Sequence, residues 1–121
     1  KGKVIGVLPA QASCESPQGR NGYQSPPGYP NAFTEIILRP HLPDSGSQGK
    51  KVSSRNHIIV LSADIVIALP GGPGTRSEIE LALEYKKRLI LFSPNREWKE
   101  FEKHAETTTT LQAITQKLTQ L

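Results

Sequence analysis

The segment ADIVIALPGGPGTRSEIELALEYKK, residues 63–87, decides the fold. It opens with a continuous apolar run rich in β-branched residues, Ile65 to Leu69, as expected of a strand buried in a parallel sheet. A proline and a group of glycines end this run, and apolar residues then recur at helical spacing from Arg76 to Lys87. A strand, a glycine-rich turn and a helix in this order predict one unit of an α/β fold.

Weaker patterns of the same kind lie on both sides of this segment. Further strands are predicted at Val4–Leu8, Thr34–Leu38 and Leu89–Phe92, with an extended edge segment at Thr107–Thr110. Further helices are predicted after an N-cap at Ser54, at Glu97–His104, and from Leu111 to Leu121. Trp98 and Phe101, at helical spacing in the second of these, are expected to be packing residues. Alternating strands and helices predict a Rossmann-like, doubly wound parallel sheet, in a single domain spanning residues 1–121.

Residues 10–33 break this alternation. They are rich in Gly, Pro, Ser, Gln and Asn and show no apolar period, which is typical of a loop. Because the segment is longer than most connections in compact domains, we expect either a functional lid or a partly disordered segment. The single cysteine, Cys14, lies in it, so no intrachain disulfide can form.

Charge and composition narrow the class of partner. Fifteen basic and eleven acidic residues give a net charge of +4, which favours small anionic ligands. The basic residues are dispersed with few aromatic residues between them, so no nucleic-acid partner is expected. No apolar run approaches the ~20 residues that cross a bilayer, and no apolar leader opens the chain, so we expect no membrane association and a cytoplasmic location. The histidines show no ligand spacing, so neither a metal nor a cofactor is expected.

The glycine-rich turn has the features of an anion-binding site. Gly71, Gly72 and Gly74 lack β-carbons, so the backbone can adopt positive φ values and come close to a ligand. The first amides of the following helix have no internal acceptors, and the helix dipole favours a phosphate or carboxylate there. Pro73 stiffens the turn and Thr75 adds a hydroxyl. The turn lacks the P-loop lysine and the Rossmann dinucleotide spacing, which disfavours ATP hydrolysis and NAD chemistry.

Three polar residues near this turn have two interpretations each. Glu78 follows Thr75 at the spacing of a capping box, in which its side chain would bond the cap's own amide, or it is a catalytic carboxylate. Arg55 is either a surface residue at a helix start or a ligand clamp, and Asn56 either bonds a ligand or caps the helix. His57 is expected to be a solvent-facing helix residue. From the residues alone, the alternatives for Glu78, Arg55 and Asn56 stay open.

The sequence PGGPGTRSE, residues 70–78, resembles the signature PGGxGTxxE of the LOG (Lonely Guy) family. These are Rossmann-like proteins, often labelled lysine decarboxylases, and their plant members are cytokinin-activating phosphoribohydrolases. Upstream, SSRNHIIVLSADIVIAL is similar to the helix and strand before the signature, with Arg55 on the characteristic arginine. Downstream, EIELALEYKKRLILF is similar to the uncharacterised bacterial branch and to the molybdenum cofactor carriers, and VIGVLP matches a mid-domain strand. Arg55-Asn56 suits those branches better than the Arg-Lys of the plant enzymes.

The resemblance implies cleavage of a nucleoside 5'-monophosphate at its N-glycosidic bond. Glu78 would stabilise the positively charged sugar or orient water, since such cleavage passes through an oxocarbenium-like state. Arg55 would clamp the nucleotide or assist the leaving base, while Asn56 and the turn from Gly71 to Thr75 would bind it. The alternative that the carriers imply is binding without turnover of a nucleotide, an oxyanion or the molybdenum cofactor.

The resemblance also carries expectations about the whole fold. Family members commonly dimerise through helices, so a homo-oligomer is expected. The first strands of the family fold, with another glycine-rich turn, have no counterpart in this sequence. We therefore expect the chain to be the C-terminal portion of a longer family domain, with a sheet that lacks those strands.

Overall fold

Two parallel sheets and three helices make up the fold, as seen in a computed structural model that describes residues 2–10, 25 and 27–120. The strands are β1 (Ile5–Val7), β2 (Ile36–Leu38), β3 (Ile65–Ala68), β4 (Arg88–Phe92) and β5 (Glu106–Thr108). The helices are α1 (Asn56–Ser62), α2 (Pro73–Glu84) and α3 (Leu111–Leu118), and a short 3-10 turn spans Gly46–Gln48. This mixed α/β architecture with parallel strands confirms the predicted fold class.

The larger sheet has the order β3-β4-β5 and contains the core. Its strands run parallel, with Ile67 opposite Ile90 and Leu91 opposite Thr107. Strand β4 is buried along its centre because α2 packs against the sheet through the fully buried Ile79. The carboxyl ends of parallel strands meet at one edge of a sheet, which is where this architecture binds ligands. The glycine-rich turn follows β3 at that edge.

The smaller sheet, β1-β2, differs from expectation. Its strands pair in parallel, but Ile5 is 56% exposed and Ile36 to Leu38 are exposed as well, so the predicted burial of the Val4–Leu8 strand is wrong. Burial begins only at its end, at Leu8. Side chains of β1, β2 and α1 line an apolar groove of about 310 Å³. Since the described strands form two sheets rather than one, the Rossmann-like fold is present in part.

Two predicted helical features take another form. Residues 97–104 form successive turns instead of a helix, because the amides of Phe101 and His104 each bond the carbonyl three residues back. The aromatic residues there are packing residues as predicted: Trp98 and Phe101 belong to the core, and Trp98 Nε1 donates to the Leu69 carbonyl at 3.1 Å. Ser54 lies one residue before the cap position of α1, which Arg55 occupies. Its Oγ nevertheless accepts a hydrogen bond from the amide of Asn56, the first residue of the helix, at 3.2 Å.

Some predictions concern residues that lie outside the described ranges. Residues 11–24 and 26, with Cys14, lie outside them, so the lid and disorder hypotheses for residues 10–33 stay untested. In the closing helix Ile114 is buried but Leu111 is 65% exposed, and Leu121 lies outside the described residues. In the part of the chain that the structure describes, no helix has the length and apolar character to cross a membrane.

Candidate functional site

A cavity of about 400 Å³ lies at the start of α2. It is lined by Tyr29, Ser45, Gly46, Arg55, Asn56, Gly74, Thr75 and Glu78. The structure thus brings together the predicted Arg55, Asn56, Gly74, Thr75 and Glu78 in one place. The other predicted turn residues, Gly71, Gly72 and Pro73, do not line the cavity but form the chain segment that leads into it.

The start of α2 leaves several backbone amides free. The helix begins at Pro73 with Gly72 in the cap position, and Gly72 has no side chain with which to cap it. Among the described residues, no acceptor takes a hydrogen bond from the amides of Gly72, Gly74 or Thr75. Thr75 is therefore the third residue of the helix and not its cap, so the capping-box interpretation of Glu78 is wrong. Free amides at a helix start attract anions.

Gly71 begins this turn, and it is required there because the Thr75 side chain comes very close to it, not because its backbone angles are unusual. A β-carbon on Gly71 would lie 2.4 Å from Oγ1 of Thr75, so a larger residue would displace the threonine hydroxyl. The described glycines with positive φ are Gly28 and Gly46, while Gly72 has φ −99°. The glycines of the turn do not use the positive φ values that the sequence allows, because the chain enters α2 directly from an extended residue.

The 3-10 turn forms one wall of the cavity and packs tightly on α2. Ser77 Oγ lies 3.0 Å from the carbonyl oxygens of both Gly46 and Pro73. The buried Gly49 lies against the same side chain, since a β-carbon there would be 2.7 Å from Ser77 Cβ and 2.5 Å from Asn56 Nδ2. The wall is therefore positioned by contacts with α2 and with the first residue of α1.

Two opposite charges face the cavity without forming a direct ion pair. Burial raises the pKa of the Glu78 carboxyl, and the positive charge of Arg55 opposes part of that rise. Glu78 has no hydrogen bond to any described residue. The Nε of Arg55 is buried and has no acceptor among the described residues, while its guanidinium lies 5.7 Å from the ring centre of Tyr29. Desolvated groups that are left without partners in a cleft are typical of functional sites.

The family of the chain follows from a comparison with protein-family models, in which residues 1–120 match the SLOG cluster4 family. The chain belongs to the SLOG cluster4 family. This membership confirms the LOG-like superfamily that the PGGPGTRSE segment predicts, and it indicates a nucleotide-related function. No curated protein and no solved structure matches the chain. In this SLOG cluster4 protein three signature residues, Gly74, Thr75 and Glu78, line the same cavity.

His57 of this SLOG cluster4 protein lies outside the cavity and has a structural role. Its Nε2 lies 3.0 Å from the carbonyl oxygens of Lys50 and Lys51, and its Nδ1 lies 2.6 Å from Tyr85 Oη. Because Nε2 faces two acceptors it carries the proton, and in the neutral ring Nδ1 accepts from the tyrosine hydroxyl. The ring is half-buried, which corrects the expectation of a solvent-facing residue.

Three residues of the cavity have no sequence signal that singles them out. Ser45 and Gly46 belong to a loop of ordinary composition, and Tyr29 lies far upstream in the segment predicted as a long loop. Only the tertiary structure brings them to α2. Among the described residues, no group of three or more His, Cys, Asp and Glu side chains is arranged to hold a metal ion.

Proposed function

We propose that this protein binds a nucleoside 5'-monophosphate in the cavity and hydrolyses its N-glycosidic bond. The products are a free base and ribose 5-phosphate. One observation carries the proposal: the desolvated Glu78 carboxylate lines the same cavity as a helix start whose amides have no described acceptors.

The start of α2 supplies the phosphate site in this proposal. The amides of Gly72, Gly74 and Thr75, together with the threonine hydroxyl, provide donors for phosphate oxygens. The helix dipole adds partial positive charge at the same point. Arg55 lines the cavity and adds a full charge, and its buried Nε has no acceptor among the described residues. The net charge of +4 favours the approach of an anion.

In this proposal Glu78 acts on the sugar of the nucleotide. It lies three residues beyond Thr75, which is about 4.5 Å along the helix axis, so the carboxylate follows the phosphate site by roughly one furanose ring. Hydrolysis breaks the bond between the anomeric carbon and the base nitrogen and joins the oxygen of water to that carbon. One proton of the water goes to the departing base. The ionised Glu78 stabilises the positive sugar as the bond breaks, and removing such a group typically costs ~100-fold or more in rate.

The test is the release of free base from AMP and from isopentenyl-AMP, followed by chromatography. Wild-type protein should release base, and Glu78→Gln should lower the rate by ~100-fold or more. Glu80→Gln is the matched control, because Glu80 is on the same helix but outside the cavity, where it pairs with Arg76 and Lys50. An unchanged rate in Glu78→Gln would exclude a catalytic carboxylate.

A second outcome separates catalysis from binding. If wild-type protein binds AMP but releases no base, the hydrolase proposal fails and the site is that of a carrier or sensor. Titration with phosphate, molybdate and the molybdenum cofactor would then identify the anion.

Self-association of the protein is part of the same proposal. The exposed Leu111 and Leu118 of α3 supply an apolar surface for a second copy. Light scattering that gives the mass of a monomer would contradict it.

A further inference from the structure

We propose that Tyr29 is the specificity-determining residue that lets the site select ligands with an aromatic base over base-free sugar phosphates. This inference rests on the proposed nucleotide site and adds the position of the base within it. The ring of Tyr29 would stack on the purine or pyrimidine while the phosphate sits at the start of α2.

The surroundings of Tyr29 favour a role in binding over one in packing. Its side chain lines the cavity and is 48% exposed, so it contributes little to the core. No described residue forms a hydrogen bond with its hydroxyl. Its ring contacts the guanidinium of Arg55, which lies 5.7 Å from the ring centre. This contact orients the ring relative to a residue that itself faces the cavity.

Tyr29 also differs in kind from its neighbours in the cavity. The other described lining residues are small, polar or charged, so the tyrosine is the single aromatic surface among them. A nucleobase is flat and aromatic, and every base presents a face that stacks on such a ring. Because stacking does not read the polar edge of a base, Tyr29 should distinguish nucleotides from ribose 5-phosphate more strongly than it distinguishes one base from another.

The size of the effect follows from stacking energetics. Alanine substitution of an aromatic residue that stacks on a base typically weakens binding about 5- to 150-fold. Substitution of Tyr29 also removes the contact with Arg55, which would weaken AMP and ribose 5-phosphate together. The ratio of the two affinities therefore reports stacking, whereas a change common to both ligands reports the arginine.

The experiment measures the affinities of AMP and ribose 5-phosphate by isothermal titration calorimetry for four proteins. These are wild type, Tyr29→Phe, Tyr29→Leu and the control Phe33→Leu, since Phe33 is a neighbouring aromatic residue that is 81% exposed and outside the cavity. Wild-type protein should bind AMP more tightly than ribose 5-phosphate. Tyr29→Leu should reduce that preference about 5-fold or more, while Tyr29→Phe and Phe33→Leu should keep it.

Each other outcome overturns the inference in a distinct way. Equal loss of both ligands in Tyr29→Leu would show that the ring acts only through Arg55. A wild-type protein that binds both ligands equally would show that no base is recognised, while leaving the phosphate site of the proposed function standing. A wild-type protein that binds neither ligand would overturn the nucleotide site itself. Thermal unfolding of each variant identifies any that fails to fold. If Tyr29→Leu does, Tyr29→Gln replaces it, since a polar residue suits a position that is 48% exposed, and the same fall in the preference for AMP is expected.

Discussion

Replacement of Gly49 by alanine tests the packing that positions one wall of the cavity. Gly49 has φ −61° and ψ −15°, which alanine adopts without strain, so any effect must come from the added methyl group. That group would lie 2.5 Å from Asn56 Nδ2, 2.7 Å from Ser77 Cβ and 2.8 Å from Ser77 Oγ. These separations are shorter than ordinary van der Waals contacts, so the neighbours must move.

Neither neighbour has room to move at low cost. Asn56 is 4% exposed and Ser77 is 6% exposed. Overpacking of this kind typically costs about 1–3 kcal/mol, and the reduced chain entropy of the unfolded alanine protein returns about 0.4–1 kcal/mol. We therefore expect Gly49→Ala to lower the free energy of unfolding by roughly 1–2 kcal/mol. For a chain of 121 residues this lowers Tm by about 3–8 °C.

Two measurements check the reasoning. Urea unfolding should show a lower midpoint with an unchanged slope, and calorimetry should show weaker binding of AMP because the displaced wall and Asn56 both border the cavity. Gly2→Ala is the control, since a β-carbon on Gly2 meets nothing within 4 Å. A Gly49→Ala protein that unfolds at the wild-type midpoint would refute the tight packing between the loop and α2.

Three further changes have definite signs. Because burial raises the pKa of Glu78 above its ordinary 4.5, wild-type protein loses stability as the pH rises from 4.5 through the raised pKa. Urea unfolding should therefore show that the stability of Glu78→Gln relative to wild type increases as the pH rises above 4.5. Hydrogen bonds from Arg88 and Lys117 lower the pKa of Glu106 to about 2. Wild-type protein should therefore be more stable than Glu106→Gln at pH 7, and thermal unfolding should show this difference shrinking as the pH falls from 4.5 toward 2. Ile79→Val should cost about 0.5–1.5 kcal/mol in urea unfolding because Ile79 is fully buried.

The central strand, turn and helix were predictable because their signals are local. The apolar run from Ile65 and the helical spacing after Arg76 each reflect burial against the same core, and the structure places β3 and α2 there. The boundaries moved by a few residues, since α2 already starts at Pro73. The cavity residues of these segments, such as Thr75 and Glu78, could be named in advance because they belong to PGGPGTRSE, which resembles the LOG signature.

The remaining features depend on contacts between distant segments. Whether Ile5 is buried depends on which segments pack beside β1. The apolar pattern of the strand itself carries no information about those segments. Tyr29 and Gly46 reach the cavity only because their loops fold back onto α1 and α2. The turns that contain Trp98 and Phe101 share a spacing of three residues with a helix, so the pattern predicted the buried residues correctly but the wrong backbone.

A hydroxyl carries one hydrogen, yet Ser77 Oγ is equally far from two carbonyl oxygens. The one hydrogen is shared between the carbonyl of Gly46, in the wall of the cavity, and that of Pro73, in the helix itself. If the loop moved away from α2, the hydroxyl would still donate to Pro73, so loss of the contact with Gly46 would not leave the serine unpaired. The serine therefore adds no cost of an unpaired hydroxyl to a movement of this wall, and the resistance to such a movement comes from the packing around Gly49.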